Sequence, residues 1–366
     1  MILKEYRTNE IFNKWEQYVQ NNKSSNVFNH PLWVKCLEEE YNRKATILIC
    51  FDDKSHIRGV LPLIPTLGFP FKSDRLVTAR RYSSLPRTPL GGILFDNIDV
   101  KQALINAAID ILSNSDKTSV QIKSYCPNID EGVKGLKKFF WRDSFYIKLP
   151  NQPENIRFGN KEQNRKIKWA VNKARSYGIS VREVKDEKDL INWYKLYLCL
   201  MRKHCVPPRR FAFFKSMQNY LQNTGMMKIL LAELKVNGKK TPLAGSIFLF
   251  FNDTVFYSFN GRSKLGLTLH ANDLIQWEAI HFACRNGFSF YDMGEVGDKN
   301  TGLKRFKAKW GCNNSYPIYH YYYSKNEHAG NQQLDITKEM KYPNIVWSKL
   351  PLCVVKFLGL HINRFL

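Results

Sequence analysis

The sequence lacks the marks of several protein classes. No stretch reaches the roughly 18–20 uninterrupted apolar residues of a membrane-spanning helix, and the start MILKEYRTNEIF has no apolar core of a signal peptide. The eight cysteines are scattered without a C-x-x-C pair, which disfavours a zinc site or a disulfide framework. No G-x-S-x-G motif is present, and His204–Cys205 has no ligand-like neighbour in the sequence. We therefore expect a cytoplasmic protein in a reducing compartment, with no metal ion and no covalent nucleophile.

Acidic residues are also scarce. The chain holds 56 Lys and Arg against 32 Asp and Glu, a formal net charge of +24. Such an excess favours nucleic acid, an anionic membrane or phosphorylated substrates as partners, without choosing among them. A Lys- and Asn-rich source genome is the alternative explanation, because net charge informs on partners and not on fold. With 366 residues, of which 44% are hydrophobic, the chain is long enough for two or three domains or one duplicated unit.

The order of predicted elements recurs along the chain. Residues 2–125 read as a strand, two helices, three strands, a short extended piece, a helix and a strand. After a helix at 160–178, the same order returns between 179 and 294, with a hairpin turn at Asn237–Gly238. We predict an α+β fold of two tandem lobes, 1–150 and 151–330, followed by an amphipathic helical tail at 331–366. Each lobe is expected to contain a mixed, largely antiparallel sheet flanked by helices, the element order of GNAT-type acyltransferases.

The stretch GEVGDKNTGLKRFKAKWGC, residues 294–312, combines cations with aromatic residues. Five cations lie between Lys299 and Lys309, and Phe306 and Trp310 lie among them. We predict a turn after a buried strand that directs a cation toward a reacting carbonyl or a phosphate. The alternative is a solvated charge run anchored by two core aromatics, and a core position is favoured for Trp310.

Several motifs in order resemble the FemAB/FemX family of the GNAT superfamily. That family has a Q-W-E-like helix, a strand ending Y/F-D/N-F-x-G, and then G-x-x-x-F-K with a following aromatic. The corresponding residues here are Gln276, Trp277, Glu278, Gly287, Tyr291, Asp292, Met293, Gly294, Gly302, Phe306, Lys307 and Trp310. The tail VWSKLPLCVVKFLGLHINRFL resembles the FemAB-related, exopolysaccharide (PEP-CTERM-associated) branch. One departure is the loop NGRSKLGLTLHAND, which lacks the R/Q-x-x-G-x-G/A pyrophosphate motif of acetyl-CoA-using members.

The resemblance implies a transferase with two GNAT-like lobes. It would pass an acyl or aminoacyl group to an amine of a cell-envelope precursor, a muropeptide or an amino-sugar polysaccharide intermediate. It implies no permanent cofactor, and the co-substrate is aminoacyl-tRNA or acyl-CoA. The absent CoA motif and the charge favour tRNA, whereas the tail favours an acyl thioester, so both donors stay open. The alternative is a non-catalytic tandem-GNAT protein that binds a polyanionic carrier or scaffolds polysaccharide assembly.

The expected chemistry centres on the second lobe. By resemblance, Lys307 contacts the donor and stabilises developing negative charge. Asp292 either accepts a proton or orients the amine, or it pairs with Arg305. A helix-face ion pair is favoured for Glu278. Residues expected to bind the donor are Lys304, Arg305, Phe306, Lys309, Tyr257 and Asn260, with core packing as the alternative for Tyr257 and Asn260.

Acceptor binding is expected from cations that suit phosphates. Lys35 matches a family position that contacts the acceptor, and a family arginine has its counterpart around a Pro-Pro turn, at Arg202, Arg209 or Arg210. Arg80 and Arg81 are weaker candidates. The implied partners are a phosphorylated or lipid-linked envelope precursor and tRNA.

Two further surfaces leave alternatives open. The helix Lys161–Arg175 carries six cations on its polar face, which suits a nucleic-acid backbone or a membrane surface, although a solvated face is favoured. The last nineteen residues are apolar and too short to span a bilayer. They either pack on the body, which we favour, or contact the inner face of the membrane.

Overall fold

The structure, a computed structural model, describes residues 2–3, 8–68, 80–236, 238–297, 300–325, 346–363 and 365. Asn237 of the predicted hairpin turn, Lys299 of the basic stretch and 326–345 of the predicted tail lie outside these residues. The chain divides into two units, each built from segments distant in sequence. The first comprises Met1–Trp141, Pro317–Pro343 and Leu360–Leu366, and the second comprises Arg142–Tyr316 and Asn344–Gly359. The predicted boundaries at 150 and 330 stay a prediction.

The first unit contains three helices and a mixed sheet in its described part. The helices are α1 (Asn9–Asn21), α2 (Pro31–Tyr41) and α3 (Ile98–Asp110). The strands are β1 (Ile2–Leu3), β2 (Thr46–Phe51), β3 (Ile57–Thr66), β4 (Arg81–Ser83), β5 (Leu94–Phe95), β6 (Ser119–Ser124) and the larger part of β13 (Asn314–Ser324). Their order is β1-β2-β3-β4-β6-β13, with β5 beside β3. All pairs are antiparallel except β4 and β6.

Local sequence explains the elements of this unit. Pro31 at the first position of α2 has the backbone angle that a helix start needs, and His30 Nδ1 accepts the Leu32 N–H at 3.2 Å. The helix ends at Asn42, in the left-handed region at φ 50°. On α3, Leu104 and Ala108 recur four residues apart and pack in one buried cluster with sheet residues.

The second unit contains seven α-helices and six strands in its described part, and two of these strands run parallel. Its helices are α4 (Lys161–Ser176), α5 (Glu187–Lys203), α6 (Phe211–Met217), α7 (Lys264–Thr268), α8 (Ala271–Arg285), α9 (Thr301–Lys309) and most of α10 (Leu352–Ile362). Its strands are β8 (Ile179–Glu183), β9 (Met227–Val236), β10 (Lys239–Phe251), β11 (Thr254–Arg262), β12 (Phe290–Val296) and the end of β7 (Lys137–Lys148). Their order is β7-β12-β11-β10-β9-β8, and only β11 and β12 run parallel among the pairs described.

The packing of this unit follows from apolar stripes and one close approach. The spacing of apolar residues in the sequence predicts a buried stripe on α4 formed by Ile167, Ala170, Val171, Ala174 and Tyr177. The first four are buried, whereas Tyr177 is 42% exposed because the helix has ended at Ser176. Gly261 lets β11 approach α5, because a Cβ there would lie 2.4 Å from the Tyr197 backbone nitrogen. Both units contain mixed β-structure flanked by helices, which confirms the predicted α+β class.

Three elements differ from the sequence prediction. The basic stretch after β12 is not a turn, because residues 301–309 form the helix α9. Strands β7 and β13 were not predicted, although β7 has 12 residues and β13 has 11. Strand β7 was missed because its residues do not alternate between apolar and polar as a half-buried strand would. Most of them are exposed or only partly buried.

Candidate active site

The candidate site lies where β12 separates from β11. The parallel ladder pairs Val255 with Tyr291 and Phe256 with Asp292, and it ends there. The register of β12 against β7 also shifts between Asp292 and Glu295, and Gly294 takes a left-handed conformation with φ 81°. Such a conformation favours glycine. The regular pairing of β12 is therefore interrupted at Gly294, two residues after Asp292.

Asp292 is a buried carboxylate held by three donors. It is 4% exposed. Ser144 Oγ donates to it at 3.1 Å, the Gly294 N–H donates at 2.6 Å, and the Tyr316 hydroxyl donates to its other oxygen. Burial raises the pKa of Asp292, while the Tyr316, Gly294 and Ser144 hydrogen bonds and the charge of Lys307 oppose that rise. The carboxyl therefore has a higher proton affinity than an exposed aspartate.

Lys307 of α9 is a buried cation beside this carboxylate. It is 3% exposed, and its Nζ donates to the backbone oxygens of Gly294 and, at 3.2 Å, of Glu295. Burial lowers the pKa of Lys307 to about 8, although the charge of Asp292 opposes the change. An ammonium has three N–H donors. Two of them contact the backbone oxygens of Gly294 and Glu295, so the third could donate to a substrate. Lys307 is thus still mostly charged at neutral pH.

Helix α9 sorts the predicted donor-binding residues into two groups. It begins at Asn300, whose side chain accepts the Leu303 N–H at 3.1 Å. Phe306 is partly buried against the core, whereas Lys304 and Arg305 are exposed. Arg305 forms no ion pair with Asp292 within the described part of the chain. Lys309 is engaged elsewhere, since its Nζ lies 2.5 Å from Asp273 in the first turn of α8.

Tyr257 and Asn260 of β11 lie on the strand next to the opening. A Cβ on Gly294 would lie 3.9 Å from the Tyr257 backbone oxygen, which places the two residues side by side. Burial raises the pKa of Tyr257 to about 12, so its hydroxyl stays protonated. Ser246 Oγ lies 3.5 Å from Asn260 Oδ1. Near Lys307, burial also raises the pKa of the Cys312 thiol to about 12, which makes it a poor nucleophile.

The predicted acceptor residues are distributed over both units. In the second unit, Arg202 donates to the Leu350 backbone oxygen at 3.2 Å. Arg209 is 2% exposed and lies 4.3 Å over the Phe213 ring, and Arg210 immediately precedes α6. In the first unit, Lys35 Nζ lies 4.4 Å over the Phe12 ring. Their role in acceptor binding stays a prediction.

The weaker first-unit candidates differ in exposure. Arg80 is exposed and pairs with Asp116 at 3.1 Å. Arg81 is buried, and this burial lowers its guanidinium pKa.

Sequence reasoning missed Ser144 and Tyr316. Both contact Asp292, and they come from β7 and β13, the two strands that were not predicted. A usable signal for β13 was present in SYPIYHYYYS, because a run of tyrosines around isoleucine has high strand propensity. No comparable signal marked Ser144.

Two predictions about individual residues of the second unit are confirmed. Trp310 is fully buried with its ring 5.0 Å from that of Phe158, which confirms its core position. Glu278 pairs with Arg175 at 2.8 Å, which confirms a helix-face ion pair. Within the described ranges, no cluster of His, Cys, Asp or Glu could hold a metal ion, and no helix could cross a membrane.

Two surface pockets of the second unit are distinct from this site. The first, of about 280 Å³, lies between α4 and α8 and is lined by Lys168, Asn172, Trp277 and His281 among others. The second, of about 210 Å³, is lined by Arg182, Lys228 and Phe282 among others. Neither is lined by Asp292 or Lys307.

Comparison with known proteins identifies the domain that carries the site. Residues 161–308 match the family described as an acetyltransferase (GNAT) domain. This range includes α4, the parallel pair β11–β12 and Lys307. A comparison with curated protein sequences finds no significant match.

Solved structures are similar in fold over most of the chain. The crystal structure of FemX matches with a TM-score of 0.67 at 15% identity, over 89% of this chain and 98% of that one. L-PGS from Bacillus licheniformis matches with a TM-score of 0.57 at 11% identity, over 95% and 98%. A tandem GNAT protein from the clavulanic acid biosynthesis pathway matches with a TM-score of 0.52 at 8% identity, over 91% and 99%. At these identities the likeness concerns the fold. Residues 161–308 therefore match a GNAT domain, and most of the chain is similar in fold to FemX and to L-PGS.

Proposed function

We propose that the second unit transfers an acyl or aminoacyl group to an amine of a cell-envelope precursor. The observation that carries this proposal is the buried pair of Lys307 and Asp292 at the opening between β11 and β12. The GNAT fold and its neighbours FemX and L-PGS support a transfer role of this kind. The acceptor, a muropeptide or amino-sugar intermediate, is part of the proposal.

The geometry suits direct transfer without an enzyme-bound intermediate. The acceptor amine attacks the carbonyl carbon of the donor ester or thioester, and a C–N bond forms. The third N–H of Lys307 would stabilise the negative charge that develops on the carbonyl oxygen. Asp292, whose pKa is raised, would take the proton that the amine releases. The C–O or C–S bond then breaks, and the proton taken up by Asp292 passes to the leaving oxygen or sulfur, which departs as a hydroxyl or thiol.

Local charge favours aminoacyl-tRNA over acyl-CoA as the donor. The loop before α8 lacks the CoA pyrophosphate motif, and its residues 264–268 form α7 instead. The first turn of α8 carries Asp273, paired with Lys309. A carboxylate at a helix start competes with a phosphate for the same backbone N–H groups. Lys304 and Arg305 are exposed on α9 and would bind the phosphates of a donor.

Replacement of Lys307 tests the proposed chemistry. We expect Lys307→Met to lower kcat by about 10²–10³, because one donor to the developing oxyanion is lost. Purified protein would be assayed with charged tRNA and with acetyl-CoA as alternative donors. Binding would be compared for charged tRNA, uncharged tRNA and acetyl-CoA as competitor. Transfer from neither donor class would contradict the proposal.

A matched control comes from the first unit. There Lys123 is also buried, and its Nζ donates to the backbone oxygens of Leu85 at 3.0 Å and Thr88 at 2.9 Å. Lys123→Met removes the same kind of contact, so it should lower stability without changing the activity of the folded fraction. Equal losses of activity in both variants would indicate a structural role for Lys307.

That similarity also favours a second candidate function. Lys101 and Lys123 each donate to two backbone oxygens, as Lys307 does, and neither is proposed to take part in catalysis. The same arrangement at Lys307 is therefore compatible with a structural role. A non-catalytic protein that binds a polyanionic carrier would retain its ligand in Lys307→Met. Retained binding together with undetectable transfer in the wild type would favour this candidate.

A further inference from the structure

Helix α10 packs on the second unit through a narrow stripe. Val355 is fully buried, and Gly359, four residues later on the same side, is also buried. A Cβ at Gly359 would lie 2.5 Å from the Pro208 ring, so the helix rests directly on the Pro-Pro turn. The contact fixes α10 along one edge.

The opposite side of α10 exposes apolar groups. Phe357 is 58% exposed, and Cys353, one turn earlier, is exposed as well. Val346, in the helical turn before α10, is 62% exposed. Single exposed apolar residues are ordinary, but here they recur at i and i+4 on one helix face. This face, Cys353 and Phe357, is named the α10 face.

The charged residues in the sequence that carries the α10 face all have the same sign. Residues 346–366 contain Lys349, Lys356 and Arg364 but no Asp or Glu. An apolar helix face in a segment whose charged side chains are all cations complements the surface of an anionic bilayer, where acyl chains contact the apolar groups and headgroups contact the cations.

We propose that the α10 face docks onto an anionic lipid surface, with the helix lying parallel to the bilayer. Crossing is excluded by length, because α10 has 11 residues and a span needs about 20. A second copy of the chain is a poorer occupant. An 11-residue helix is only about 16 Å long, too small for the roughly 800 Å² per partner of a stable protein interface.

Docking would bring predicted acceptor residues to the membrane. Arg202 donates to the Leu350 backbone oxygen at 3.2 Å, and Pro208 contacts Gly359, so the 202–210 segment is tied to the tail at two points. An acceptor diphosphate carried on a lipid would then meet Arg202 and Arg210, which are partly exposed, at the bilayer surface. This consequence rests on the proposed function, whereas the docking does not.

Flotation with vesicles tests the proposal. Full-length protein would be mixed with phosphatidylglycerol-containing vesicles and with pure phosphatidylcholine vesicles. We expect binding to the anionic vesicles only, and we expect Phe357→Glu to weaken it by about tenfold or more. The matched control is Trp169→Glu on α4, because Trp169 is also 58% exposed and the charge change is the same. Wild-type failure to bind, or equal loss in both variants, would overturn the proposal.

Chemical labelling locates the contact. The exposed thiol of Cys353 should react more slowly with a membrane-impermeant maleimide when anionic vesicles are present, as read by peptide mass mapping. Unchanged labelling of Cys353 with vesicle-bound protein would place the contact elsewhere and reject the α10 face. Transfer activity in solution is measured separately, so loss of docking and loss of catalysis are distinguishable.

Discussion

At the scale of single residues, the protonation of Lys307 sets a pH limit on the proposed activity. Its pKa is lowered to about 8 by burial, so the ammonium is lost as pH rises through that value. We expect kcat/KM to fall on the alkaline side near pH 8. In Lys307→Arg, whose guanidinium stays charged, the fall should move to higher pH. An alkaline limb with the same midpoint in both proteins would exclude Lys307 as its source.

On the acid side of the same profile, activity should depend on the pKa of Asp292, which the hydroxyl of Tyr316 lowers. The hydrogen bond from Tyr316 lowers the pKa of Asp292 more than the hydrogen bond from Ser144 does. Tyr316→Phe should therefore move the acid limb to higher pH, because Asp292 then holds its proton more tightly. Ser144→Ala should move it in the same direction by less. The measurement is kcat/KM against pH, and an unmoved limb in both variants would show that Asp292 does not titrate in catalysis.

The sequence predicted the two central site residues but not their partners. Asp292 and Lys307 stand in motifs a few residues long that resemblance can find. Ser144 and Tyr316 reach Asp292 from strands 148 and 24 residues away in sequence. Contacts of that kind depend on strand pairing, which the local pattern of one strand does not define.

At the scale of elements, the cap of α9 should matter for activity as well as stability. Asn300 caps the helix that carries Lys307. Asn300→Ala should cost about 1 kcal/mol of unfolding free energy, and the frayed helix should also lower kcat. Asn160→Ala removes the equivalent cap of α4, where Asn160 accepts the Gln163 N–H at 2.9 Å. It should cost similar stability with little change in kcat, and both quantities are measured by urea unfolding and steady-state kinetics.

The error at α9 has a physical explanation. Its cations and Gly302 suggested a turn, yet Leu303, Phe306 and Trp310 recur at helical spacing, and Phe306 and Trp310 pack in the core. A single buried side over nine residues is a weak signal when lysines occupy the other positions. The longer stripe of α4 was predicted correctly at four of its five positions, because those four repeat within a helix of 16 residues, whereas Tyr177 lies just beyond its end.

At the scale of the whole molecule, the net charge of +24 makes binding of polyanions depend on salt. If the polar face of α4 contacts RNA phosphates, Arg165→Glu with Lys168→Glu should lower the slope of log affinity against log salt by roughly 1.5–2. Lys239→Glu with Lys240→Glu, at the exposed start of β10, makes the same charge change on another element of the second unit and is compared alongside. Binding of charged tRNA from low to physiological salt measures the slope. An unchanged slope in the α4 double variant would leave its cations as a solvated face.

The discontinuity of the first unit has a consequence for how the protein is made. Strand β6 pairs with β13, and Gln121 and Tyr322, which bond each other, are 201 residues apart. At roughly 5–20 residues per second of synthesis, β6 waits about 10–40 s on the ribosome for its neighbour. Throughout that interval its open edge can pair with other nascent chains. Translation that stalls before residue 317 should therefore yield an aggregation-prone fragment that depends on chaperones, even though all of its helices have already been synthesised.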